Sequence, residues 1–92
     1  MSPKLLTPHQ LVNRCLTWDG SRGAFAQLVA DALLTLGMTE EGLAEALWVS
    51  SPTVARWARG ASCPAPVIRG RVVGWLCLRA RELSPSGEGG VG

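Results

Sequence analysis

The stretch "LAEALWVSSPTVARWARG", Leu43 to Gly60, holds two short helical patterns with a break between them. Leu43, Ala44 and Leu47 share one face of the first pattern; Val54 and Trp57, three apart, share one face of the second. Ala44 is small where a second helix crossing the first would come closest. Ser50 or Ser51 caps the second helix, and a Ser50 cap has to bond Thr53, because Pro52 has no N–H. With Val54 and Trp57 turned inward, Ser51, Pro52, Ala55, Arg56 and Arg59 face out. The N-terminus of that helix then presents a cluster of backbone donors at the positive end of a helix dipole, which suits a phosphate.

Outward from this stretch the chain reads as all-α, a compact five-helix domain without strands over roughly residues 7–82. Thr7-Pro8-His9-Gln10 is a capping box with proline at the first helical position. It opens a helix of about residues 8–18 with an apolar stripe at Leu11, Val12, Cys15 and Leu16. Ser21 caps a helix from Gly23 to Leu36 that Gly37 stops, with Phe25, Leu28, Val29, Ala32, Leu33 and Leu36 on its inner face. Thr39 caps a third, over 40–47, with Glu40 and Glu41 in the first turn where the dipole favours acids. A fourth spans 51–59 and ends at Gly60; after "ASCPAP", Pro66 opens the last, to about Glu82. Residues 1–20 form an N-terminal segment with one helix, 21–83 the helix-turn-helix domain, and the glycine-rich 84–92 a disordered tail.

Charge divides the chain. Residues 1–45 carry Lys4, Arg14 and Arg22 against Asp19, Asp31, Glu40, Glu41 and Glu45. Residues 46–81 carry Arg56, Arg59, Arg69, Arg71, Arg79 and Arg81 and no acid, which predicts an anionic partner. Arg69 and Arg71 are expected to be solvated more than bound. Cys15, Cys63 and Cys77 share no metal-ligand spacing and have only His9 for company, so neither a metal site nor a disulfide framework follows. Reduced, mostly buried thiols in a cytoplasmic protein are expected. "MSPKLLTPHQ" lacks the apolar core of a signal peptide, and Gln27 and Asp31 interrupt the longest apolar region, which argues against a membrane span.

Met38 to Gly60, "MTEEGLAEALWVSSPTVARWARG", resembles the Cro and phage-repressor type of helix-turn-helix regulators, with "VSSPTVARWARG" its most specific part. The resemblance covers roughly residues 24–82 and implies a lambda-repressor-like fold whose second motif helix enters the major groove of double-stranded DNA. Carried over by position, it puts Ser51, Pro52, Ala55 and Arg56 at base-facing sites, and Ser50, Thr53 and Arg59 at backbone or capping sites. Two residues depart from the pattern. Family members commonly have glycine where Trp48 stands, since a positive φ there costs a bulky residue roughly 1–2 kcal/mol. Trp48 has to recover that by packing, or the turn differs. Gly42 sits inside a helix at about 1 kcal/mol relative to alanine.

The function expected is that of a small transcriptional regulator, a repressor, binding DNA in a sequence-specific way without a cofactor. Arg56 is the residue expected to read guanine through a bidentate pair, and Arg59 to meet phosphate. The final helix is apolar on every side through "VVGWLCL", residues 72–78, so either the N-terminal helix or a second subunit has to cover it. A homodimer, at least on DNA, is expected, built partly from the final helix around Val72 to Leu78. The competing reading is a protein-interaction module (antitoxin, anti-repressor or adaptor) with DNA contact weak or lost, because Pro52 and Ala55 at reading positions leave few hydrogen-bonding side chains. RNA binding ranks third, lacking an aromatic-studded sheet or loop signature. No paired carboxylates, catalytic histidine arrangement or phosphate-cradling loop supports an enzyme.

Overall fold

The computed structural model describes residues 6–83, which form five helices and no strand. They are α1 (Pro8–Leu16), α2 (Arg22–Leu36), α3 (Glu40–Leu47), α4 (Ser51–Arg59) and α5 (Pro66–Leu83). The tail expected over residues 84–92 lies outside the described residues.

The helix starts follow from side-chain caps. Gln10 N donates to Thr7 Oγ1 at 3.1 Å and Thr7 N to Gln10 Oε1 at 2.9 Å, closing the capping box of α1. Ser21 takes the Ala24 N–H and Thr39 the Gly42 N–H, the latter at 2.9 Å. A Cβ at Gly42 would stand 3.3 Å from the Thr39 hydroxyl, so this glycine gives up helix propensity where the cap needs room.

Three helices end in one way. At the end of α2, Met38 N donates to Leu33 O (3.0 Å) and Gly37 N to Leu34 O (3.3 Å). At the end of α3, Val49 N donates to Ala44 O (3.0 Å) and Trp48 N to Glu45 O (3.3 Å). At the end of α4, Ala61 N donates to Arg56 O (2.9 Å) and Gly60 N to Trp57 O (3.0 Å). Each pair satisfies carbonyls a helix would leave bare, and each needs one left-handed residue. Those residues are Gly37, Trp48 and Gly60, at φ 65°, 64° and 77°.

α2 is the central helix: it packs against α1, α4 and α5 and buries Phe25, Leu28, Val29 and Ala32. The Phe25 ring meets Trp57 of α4 edge-on with centroids 5.7 Å apart, and Trp18 lies on its other side at 6.4 Å. α1 lies along α5, adding Leu11 and Cys15 to the core that holds Val72, Val73, Leu76 and Ala80. The helix of segment 1–20 is thus built into the domain core. Thr35 of α2 also pins the entry to α1, donating to the Leu6 carbonyl at 3.1 Å.

Some expectations need correcting. Leu16 is 67 % exposed, because α1 docks through the narrower Leu11–Cys15 edge and leaves Leu16 round the side. Of the two covers expected for the apolar excess on α5, the N-terminal helix α1 supplies one within the chain, joined by α2, although Leu78 stays exposed. Of the three free thiols only Cys15 is buried, and burial pushes it up to about 11, with the nearby Cys77 thiol adding to the rise; Cys63 and Cys77 are half-buried. Among the described residues no helix is long and apolar enough to cross a membrane, and no group of three His, Cys, Asp or Glu converges.

Candidate nucleic-acid interface

α3 and α4 pack against each other across the turn Trp48-Val49-Ser50. On α4, Val54 and Trp57 are buried. The opposite side carries Pro52, Arg56 and Arg59, all exposed, with Ser51, Thr53 and Ala55 half-buried beside them. Exposed Ser50 precedes them as the cap. The sequence-predicted residues therefore lie on one short helix and its cap, as a single surface strip.

Ser50 does the capping. Its Oγ accepts the Thr53 N–H at 3.3 Å and shares a 2.7 Å hydrogen bond with the Thr53 hydroxyl. The Ser50 carbonyl accepts the Thr53 and Val54 N–H groups at 3.0 and 3.3 Å. This narrows the expected cluster of donors. Pro52 has no N–H and Thr53 is engaged, so among the first three residues of α4 only the Ser51 N–H remains for an anion. Thr53 also receives a long hydrogen bond, 3.5 Å, from Arg56 Nη2. At that length it biases the guanidinium toward the start of the helix without fixing it.

The electrostatics favour an anion over this strip. α4 carries no acid, and the ion pairs among the described residues, Arg14–Asp31 at 3.3 Å and Arg79–Glu82 at 2.9 Å, leave Arg56 and Arg59 free. The rest of the arginine-rich half behaves differently. Arg69 is not the solvated residue expected: its Nη1 donates to Cys63 Sγ at 3.1 Å, and its Nε is buried without a partner. Arg71 lines a groove between the α3–α4 turn and α5, and Arg79 is held by Glu82. Periodicity carried no signal for the Arg69–Cys63 contact, which joins the α4–α5 connector to α5.

Trp48 overturns the expectation placed on it. The turn keeps the left-handed geometry usual for glycine (φ 64°, ψ 41°), yet the indole is 93 % exposed and recovers nothing by packing in its own chain. The strain of roughly 1–2 kcal/mol stands uncompensated there. Compared with protein-family models, with curated proteins and with solved structures, the chain matches none of them.

Proposed function

We propose that this chain binds double-stranded DNA through the outer strip of α4, as a helix-turn-helix of the lambda-repressor type, and acts as a small transcriptional repressor. The observation that carries the reading is one helix with two opposite faces. Val54 and Trp57 are buried against the domain, while Arg56 and Arg59 stand free on the other side with no acid on the helix. Arg56 is the guanine reader, its fork matching O6 and N7. Ser51, Pro52 and Ala55 offer small contacts around it, and the Ser50–Thr53 cap and Arg59 meet the backbone. A homodimer with two α4 helices on half-sites one helical turn apart belongs to this reading, as does a cytoplasmic location beside the DNA.

Selection of bound sequences from random duplexes tests it, an enriched palindrome being the expected result and no enrichment the adverse one. Arg56→Ala should lose about 1–3 kcal/mol on the selected site and relax preference at one base pair. Arg59→Ala should weaken all sequences about equally and flatten the salt dependence by about one counterion.

A second reading, a protein-interaction module, is favoured by Trp48, an exposed tryptophan at a strained turn. Salt separates the two. Phosphate-driven binding falls steeply as salt rises, while an apolar protein contact does not.

A further inference from the structure

The α3–α4 turn and the first half of α5 enclose a mostly apolar groove of about 260 Å³. It is lined by Leu47 at the end of α3, by Val49 of the turn, by Trp57, and by Ile68, Arg71 and Trp75. Trp48 lies between two of these lining residues in the chain, yet its exposed indole does not fill the space beside it. We infer that a second copy of this chain fills it: in a two-fold dimer, Trp48 of each subunit inserts into the groove of the other.

Four observations favour a copy of the same chain over an unrelated partner. Knob and hole are neighbours in the chain, Trp48 standing between the lining residues Leu47 and Val49, which suits a two-fold interface in which one patch complements itself. The groove has room for one large aromatic side chain, and a tryptophan buries about 150–250 Å² when it finds a site. Charge matches as well. Glu45, within one turn of Trp48, is exposed and unpaired among the described residues, and so is Arg71 in the groove. Insertion would bring Glu45 of one subunit to Arg71 of the other, twice by symmetry, and set that guanidinium against the entering indole. The apolar surface also continues beyond the groove, at Val67 (73 % exposed) and Ile68 (38 %).

Ser51, Pro52, Ala55, Arg56 and Arg59 are not among the residues that line the groove. This interface deepens the homodimer of the proposed function, while its own observations do not depend on whether the outer strip of α4 meets DNA.

Sedimentation equilibrium of the full chain without DNA tests the inference. The parent should reach twice the chain mass of 9.7 kDa as concentration rises. Trp48→Gly removes the knob and suits the left-handed turn, so it should keep the helical circular dichroism while self-association weakens by about 30-fold or more. Glu45→Arg and Arg71→Glu should each weaken association, and the two together should restore it. A parent that stays monomeric up to about 1 mM overturns the inference. So does a Trp48→Gly chain that dimerises as tightly as the parent, or a double charge reversal no better than its singles. DNA binding is read separately through Arg56→Ala, so a failure of either idea leaves the other standing.

Discussion

Trp48 and Trp57 belong to the same pair of packed helices and are used in opposite ways. Trp57 is 4 % exposed, in the last turn of α4, with Phe25 edge-on against it. Its helix closes on Gly60, the residue type that takes a positive φ without cost. Trp48 is itself the left-handed residue at the end of α3 and lays its indole in solvent. The hydrogen bonds at the two helix ends are the same in kind. A backbone motif therefore does not dictate its residue. Where glycine would serve and a tryptophan stands instead, the side chain adds no packing to its own fold.

That contrast can be tested by urea denaturation at concentrations low enough to keep the chain monomeric. Trp57→Ala should cost about 3–5 kcal/mol, because it opens a cavity between α2 and α4 next to Phe25. Gly60→Ala should cost about 1–2 kcal/mol: the methyl would meet only Ala26 Cβ at an ordinary 3.8 Å, so the loss would be backbone strain alone. Trp48→Gly should go the other way and stabilise the monomer by about 1 kcal/mol. Trp48→Ala keeps the strained Cβ and removes only the exposed ring, so it should stay within about 0.5 kcal/mol of the parent. If Trp48→Ala proves as costly as Trp57→Ala, the indole packs within its own chain and the contrast fails.

Much of the architecture was legible because its signals are local. The Thr7–Gln10 box, the Ser21 and Thr39 caps and the Gly37 and Gly60 stops each need only a few neighbouring residues, and all are in place. The inward pair Val54 and Trp57 followed from helical spacing in the same way. What escaped depends on elements far apart in the chain. Periodicity showed that α5 was apolar all round but not that α1 and α2 would cover most of it. It could not narrow the stripe on α1 to Leu11 and Cys15, since the width of that contact is set by the helices it lies on. The candidate site shows the same division. Its residues and their outward direction were legible, and so was Thr53 as the partner of a Ser50 cap, but the choice between Ser50 and Ser51 as the cap depended on how the Ser50 side chain turns. The exposure of Trp48 was hidden as well: sequence identifies a strained position without saying where the ring goes.

The seating of α1 on α5 also bears on how the chain emerges from a ribosome. The surface that covers Leu11 and Cys15 is completed by α5, which is made after the other four described helices, so α1 leaves the exit tunnel with its apolar edge unmatched. α2, α3 and α4 can associate earlier through Phe25, Leu43, Val54 and Trp57, but the domain closes only when Val72, Val73 and Leu76 arrive. Until then a growing chain has to hold α1 open or lend its edge to a chaperone. Stalling translation before α5 would therefore give a protease-sensitive intermediate, and resumed synthesis through α5 would convert it to the closed domain.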